Sequence, residues 1–255
     1  METKLIKLAV ADGIAVVTMD NPPVNAQNAQ FNSEMAYVFD TLSDRADVRV
    51  AVLTGAGKVF SAGADMKGRA GLSATGERWQ HNRRVRESFH AIRECTKPVI
   101  CALNGPGLGA GLAVAASCDV LLAAEESALG LPEIDVGLLG GGRHAQRLFG
   151  HSTLRRMMLT GYRVPGPELY RLGIVEACVP RAQLMEHAMA LAREIAGKSP
   201  AAIRLAKGAL NTIEDMSLRD GYRYEQNLTV QLSDHPDSKE AVAAFLEKRK
   251  PVFRE

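Results

Sequence analysis

The sequence predicts an α/β protein, and three observations carry that prediction. Short apolar runs rich in β-branched residues recur at 14–20 (IAVVTMD), 49–55 (RVAVLTG), 98–104 (PVICALN) and 118–127 (CDVLLAAEES). Helical patterns separate them at 32–46 and 77–95. After residue 140 the pattern turns mostly helical.

Each element has a local reason. The opening METKLIKLAVADGIAVV alternates in strand fashion on both sides of Asp12-Gly13, which predicts a β-hairpin. Its charges are interleaved with apolar residues, unlike a signal peptide. Ser152 is placed to cap a helix over TLRRMMLTG, with Gly161 as its stop. EACVP (176–180) reads as a last short strand, and Arg181 onward as helix. A new helix starts after Pro200, so residues 1–197 form a core and 198–255 a helical tail. That tail is too small and too open to be an independent domain, and its apolar positions suggest packing against a neighbour.

The bulk numbers narrow the function classes. A chain of 255 residues with 46% hydrophobic content can bury a large core. A net charge of +2 gives no global field for nucleic acid or membrane. No apolar run spans a bilayer, since the best candidate, 105–117, is broken by glycines. Cys95, Cys101, Cys118 and Cys178 form no C-x-x-C pair. Cys95 and Cys101 flank a strand-like segment, a poor metal geometry, so all four read as reduced, mostly buried thiols of a cytoplasmic protein with no metal. The terminal FRE is not a peroxisomal address.

The stretch NGPGLGAGLAVAASCDV (104–120) invites two readings. GPGLGA fits a dinucleotide fingerprint, with Glu125 and Glu126 about 20 residues on. Pro106 argues against it, because it removes an N–H from a loop that should donate to phosphate. The other reading is an oxyanion site, in which the free N–H groups of a helix start face a carbonyl. A second donor would come from KVFSAGADMKG (58–68), where Ser61-Ala62-Gly63-Ala64 follows the strand 49–55. Both stretches also read as tight turns chosen for packing.

Four blocks resemble the enoyl-CoA hydratase/isomerase family, the crotonase superfamily. They are FSAGADMK (60–67), NGPGLGAGLAVAASCDV (104–120), LGLPEIDVGLLGGG (129–142) and LTGYRVPGPELYRLGIVEACVP (159–180), in the family's order. The resemblance implies a crotonase-like spiral of ββα repeats followed by a C-terminal helical trimerisation region. It implies an acyl-CoA substrate, with coenzyme A as part of that substrate and no tightly bound cofactor. It also implies self-association as a homotrimer or dimer of trimers. The implied oxyanion donors are the N–H groups of Ala64 and Ala110. The implied coenzyme A contacts are Ala62, Gly63, Ala64, Asp65 and Met66, with Lys67 near phosphate and Val24 to Ala26 as part of the wall. Gly107, Gly109, Ala110, Ala113 and Pro132 join the substrate-binding set.

The family's acids bear on the reaction. Hydration in this family usually uses two carboxylates, and the first lies three residues beyond the oxyanion donor, nearly one helical turn on. That position is Ala113. The second is present as Glu133, which is suited to acid–base work when partly desolvated. By the same resemblance, Gly141 is placed to offer an N–H to water or substrate. A single base suits moving a double bond between C3 and C2 better than adding water. The expectation is a hydratase, with a Δ3-Δ2 isomerase or other crotonase chemistry as the alternative.

Several residues stay open. Asp135, in extended chain, would lie about 7 Å along from Glu133. Arg143 and His144 read as helix-start residues. The segment 68–88 is the least family-like and is expected to cover the acyl pocket. Trp79 within it is either a pocket wall or a packed anchor. Arg83, Arg84 and Arg86 read as a solvated helix face, with coenzyme A phosphate contact or RNA binding as the alternatives; an RNA-binding or non-catalytic homologue is the rival from another class.

Overall fold

The computed structural model describes residues 2–71 and 73–253. Met1 of the opening segment, Leu72 of the 68–88 segment and the last two residues of the terminal FRE lie outside the described residues. In chain order the elements are β1 (Ile6–Ala11), β2 (Ile14–Met19), α1 (Ala29–Asp44), β3 (Val50–Gly55), α2 (Met66–Ala70), α3 (Thr75–Glu94), β4 (Val99–Leu103), β5 (Gly107–Leu108) and α4 (Ala110–Ala116). There follow β6 (Val120–Ala124), β7 (Ala128–Gly130), a 3₁₀ turn (Pro132–Val136), α5 (Gly142–Ala145), α6 (His151–Thr160), β8 (Arg163–Pro165), α7 (Gly166–Arg171) and β9 (Ala177–Val179). Four longer helices finish the chain: α8 (Arg181–Ala196), α9 (Pro200–Ile213), α10 (Leu218–Ser233) and α11 (Pro236–Leu246).

The first two strands make the expected hairpin. Asp12 (φ 52°) and Gly13 (φ 76°) both take the left-handed backbone that a two-residue turn of this hand needs. From β2 on, the large sheet is parallel, in the order β1-β2-β3-β4-β6-β9. A smaller sheet, β5-β7-β8, forms a second layer. The pairings Gln27 with Ala64 and Ser61 with Gly107 continue that layer beyond its named strands. The chain therefore winds as a spiral. Each pass lays one strand in the large sheet, then an extended piece in the second layer.

This winding explains why the central strands are apolar without alternation. Parallel strands covered on both faces have no solvent side. Ala51, Leu53, Cys101, Leu103, Leu121 and Ala123 face the main core with Phe31, Phe39 and Phe60. Their neighbours Val50, Val52, Ile100, Ala102, Leu122 and Ala124 pack against Leu184, Ala188 and Ala192 of α8.

Some boundaries differ from the sequence expectation. α1 starts at Ala29, because the Asn28 side chain accepts the Phe31 N–H at 2.8 Å and caps it. α6 starts at His151 after Gly150, so Ser152 is not its cap, while Gly161 (φ 67°) does end it. The run 118–127 is not one strand: β6 stops at Ala124 and the chain turns through 125–127 into β7. Cys101 lies inside β4 rather than flanking it. Cys95, Cys101 and Cys118 are buried thiols and Cys178 is partly buried.

Two buried charges tie distant elements together. Glu34 of α1 is only 1% exposed, and its Oε2 accepts the N–H groups of Lys4, Leu5 and Ile6 at 2.9, 2.7 and 3.1 Å. Burial opposes ionisation, but the Gln30 amide and these three donors outweigh it and hold the carboxyl below its ordinary value. A carboxyl with a lowered folded pKa contributes stability above its unfolded value, and that stability is lost as pH falls through the folded one. Glu34→Gln is therefore expected to cost about 1–2 kcal/mol at pH 7 and less as the pH drops below 4. Urea titrations at both pH values test this, and an equal cost at both would contradict it.

The second charge is Lys207 of α9, 6% exposed. Its Nζ lies 2.8 Å from Asp119 Oδ2 and donates to the Lys97 carbonyl at 3.0 Å. The helical tail is thus anchored to the core by a partly buried ion pair beside β4 and β6. Within the tail, Ser199 caps α9 and also donates to buried Asp237 at 2.7 Å, which holds α11.

Candidate active site

The loop after β3 is pinned from three sides. Asn25 (φ 53°, buried) donates through Nδ2 to the carbonyls of Ala56, Val59 and Phe60. Pro106 accepts the N–H groups of both Phe60 and Ser61. Ser61 Oγ donates to the Asn25 carbonyl at 2.8 Å and accepts from the Gln27 amide at 3.1 Å. The backbone from 61 to 65 follows from these constraints.

Its N–H groups are then accounted for one by one. Ala62 donates to Val24, Gly63 to Ser61 Oγ, and Asp65 to Gln27. The parallel pairing of Gln27 with Ala64 uses the atoms on either side of Ala64 and turns its own N–H away. Among the described residues, no protein acceptor takes the Ala64 N–H.

The glycine loop ends the same way. Leu108 donates to the Ser61 carbonyl and Gly109 to the Gly130 carbonyl, both at 2.9 Å. These groups are committed to sheet pairing, so they cannot cradle a pyrophosphate, and the dinucleotide reading fails. Ala110 is the first residue of α4, where the N–H has no intrahelical acceptor. Among the described residues, no protein group takes it. The two donors are close neighbours: a Cβ built on Gly63, next to Ala64, would lie 3.3 Å from the Ala110 nitrogen.

Both donors line one cavity of about 590 Å³. Of the residues expected from sequence, Ala62, Gly63, Ala64, Met66, Gly109, Ala110, Ala113, Pro132, Glu133 and Gly141 line it. Val24, Ala26, Asp65, Lys67 and Gly107 do not. Val24 supports the donor loop from behind, its carbonyl accepting the Ala62 N–H, while the Ala26 carbonyl accepts from the Asn21 amide. Asp65 accepts the Lys67 N–H at 3.1 Å, and Lys67 is exposed. Gly107 is buried among Leu129, Leu103 and Phe60, so it is a packing residue.

Glu133 lies in the 3₁₀ turn begun by Pro132. A Cβ added to Gly109 would lie 2.6 Å from its Oε1, so the carboxylate packs on the backbone just before the Ala110 donor. Its Oε2 is screened from solvent. Ala113 is 1% exposed and presents only a methyl to the cavity. Asp135 also reaches the wall, but on a helical turn, not in the extended chain assumed for the 7 Å spacing.

The structure adds residues that the sequence reading missed. Val85 and Phe89 of α3, with Leu138 and Leu139, form the apolar wall. Arg86 reaches the cavity, while Arg84 faces a separate groove with Asp65 and Gln80 and Arg83 is exposed. The three arginines therefore do not share a face. Trp79 is 61% exposed and does not line the cavity, so within this chain it is neither wall nor anchor.

His144 is more than a helix-start residue. It lines the cavity and meets the Phe89 ring edge-to-face at 5.1 Å. Burial, then His90 and the cations Arg147, Arg143 and Arg93, push its pKa down to about 4, so the imidazole is neutral at neutral pH. Among the described residues, no cluster of His, Cys, Asp or Glu is arranged to hold a metal ion. Nor is any helix long and apolar enough to cross a membrane.

The enoyl-CoA hydratase/isomerase family model matches residues 9–255. The chain belongs to the enoyl-CoA hydratase/isomerase family. It is similar to a Rhodococcus jostii (7aS)-7a-methyl-1,5-dioxo-2,3,5,6,7,7a-hexahydro-1H-indene-carboxyl-CoA hydrolase, 35% identical over 94% of this chain and 93% of that protein. It is also similar to a short-chain-enoyl-CoA hydratase of Clostridium acetobutylicum, 32% identical over 98% of this chain and 97% of that one. Among solved structures, an enoyl-CoA hydratase from Bacillus anthracis superposes with a TM-score of 0.93 at 30% identity, covering 98% of this chain and 99% of that one. The fold is thus the crotonase fold of this family, wound as the spiral described above.

Proposed function

We propose that this enzyme binds an acyl-CoA thioester with its carbonyl oxygen between the N–H groups of Ala64 and Ala110. Charge that develops on that oxygen as an enolate forms is stabilised by two donors already in place. Glu133 is the acid–base group, moving a proton to or from the acyl chain beside the thioester. The observation that carries this reading is the meeting of two uncommitted backbone N–H groups and one carboxylate on a single cavity. Coenzyme A enters as part of the substrate, with no separate cofactor in the scheme.

The reaction proposed is hydration of an enoyl-CoA, in keeping with the hydratase names of several relatives. A second reading is Δ3-Δ2 isomerisation, favoured by Ala113. With a methyl where a second carboxylate would stand, one base is left to shuttle a proton between carbons. The two names differ in a product that can be measured. Purified protein assayed on 2-enoyl-CoA and 3-enoyl-CoA substrates is expected to release 3-hydroxyacyl-CoA, and isomerisation without hydration would rule out the hydratase. Ala113→Glu is expected to raise hydration about tenfold or more by supplying the missing acid. No gain would mean that the pocket is built for other thioester chemistry, as the hydrolase name of the Rhodococcus relative suggests.

The same reading includes self-association as a homotrimer or dimer of trimers through residues 198–255. Exposed Leu218, Tyr222, Val230, Val242, Phe245 and Leu246 on α10 and α11 support it.

A further inference from the structure

Of the polar side chains that line the cavity and have no task in the acyl-thioester reading, Asn82, Arg86, Asp135 and Arg163 are exposed, and His81 and His144 are partly buried. His144 is neutral and partly buried, and it meets Phe89 on a cavity that Val85, Leu138 and Leu139 also line. Its contact with Phe89 engages the ring as a ring and leaves the nitrogens to find other partners. Among the described residues, no protein hydrogen bond takes either of them. A half-buried imidazole against Phe89 keeps a hydrogen-bonding capacity that a hydrocarbon chain cannot meet. Leu or Phe at this place would suit a plain fatty acyl chain better.

We propose that His144 hydrogen-bonds an oxygen carried by the acyl group, so that the preferred substrates are oxo- or hydroxyacyl thioesters and not simple hydrocarbon chains. Because the ring is uncharged, it can donate to a carbonyl or accept from a hydroxyl without desolvating an ion. The cavity that holds His144 also holds Glu133 and both N–H donors, so one bound acyl group can reach all of them. This proposal rests on the acyl-CoA reading above, and its test separates the two.

The test is calorimetric titration with pentanoyl-CoA and with its 3-oxo and 4-oxo counterparts, on the wild-type enzyme, His144→Phe and His144→Gln. Phe keeps the edge-to-face ring contact and removes the nitrogens; Gln restores a donor and an acceptor. At least one oxo thioester is expected to bind wild type about five- to tenfold more tightly than pentanoyl-CoA. That gap should vanish in His144→Phe and return in part in His144→Gln, with each variant's own pentanoyl-CoA affinity as its reference. Pentanoyl-CoA binding as well as both oxo forms, or a gap that survives His144→Phe, would overturn the proposal while leaving the acyl-CoA reading intact. If no thioester binds at all, the acyl-CoA reading falls and this proposal with it. Should His144→Phe fail to fold, the comparison of wild type with His144→Gln and His144→Leu decides the same question.

Discussion

Glu133→Gln is expected to lower turnover by about 10²- to 10⁴-fold with acyl-CoA affinity nearly unchanged. The substitution keeps the shape of the side chain and its place against Gly109, where a built Cβ would lie 2.6 Å from Glu133 Oε1. It removes only the ability to take and return a proton. The cavity holds a second carboxylate, Asp135, but it sits on an exposed turn. Ala113, one turn into α4, offers no acid at all. No backup is therefore placed beside the two N–H donors. Steady-state kinetics paired with thioester titration check this. An unimpaired variant would remove Glu133 from the mechanism, and a joint loss of binding and turnover would make it a structural residue instead.

Gly109→Ala is expected to cost about 10²-fold or more in turnover, although the new side chain is a single methyl. Gly109 has φ 56° and ψ −116°, a conformation that a residue with a Cβ avoids. The added methyl would also meet the Glu133 carboxylate. Of the two, the carboxylate is the flexible end, so it moves away from the backbone beside Ala110, where the proposed mechanism needs it. Gly173→Ala is the matched control. Gly173 also has a positive φ, 70°, but no atom lies within 4 Å of its added Cβ. Both variants are expected to lose stability through backbone strain, by about 1–3 kcal/mol. Only Gly109→Ala should lose activity; equal activity in the two would mean that the Gly109–Glu133 contact does not position the base.

Much of this architecture is legible in the sequence. The left-handed Asp12-Gly13 turn, the four apolar strands and the Gly161 stop are local features, and their physics is local. So is the start of α4, where alternating glycines lead into an apolar helix. Gly107 looked like part of the same loop because spacing cannot tell a glycine that faces a ligand from one that faces Leu129 and Phe60. Val24 and Ala26 looked like a wall for a related reason. They stand beside the donor loop, but the Val24 carbonyl serves its backbone and the Ala26 carbonyl takes the Asn21 amide.

His144 was hidden by the same limit. After a run of three glycines it reads as the start of a short helix, which it is. Its other role depends on α3, more than fifty residues earlier, bringing Phe89 against its ring. Asn25 is a further case: its three hydrogen bonds to the 56–60 loop join segments that no local pattern connects. Trp79 and the arginines on α3 show the converse. Residues that stand out in a sequence need not meet in space: Arg86 lines the cavity, Arg84 a separate groove, and Trp79 and Arg83 are exposed.

The account turns on where the thioester oxygen sits. A crystal structure of the enzyme with a non-reactive ligand such as butanoyl-CoA measures that directly. The oxygen is expected within about 2.7–3.1 Å of both the Ala64 and Ala110 nitrogens, with the acyl chain running toward Glu133 and His144. A thioester oxygen that engages neither nitrogen, with coenzyme A bound outside the 590 Å³ cavity, would contradict the account.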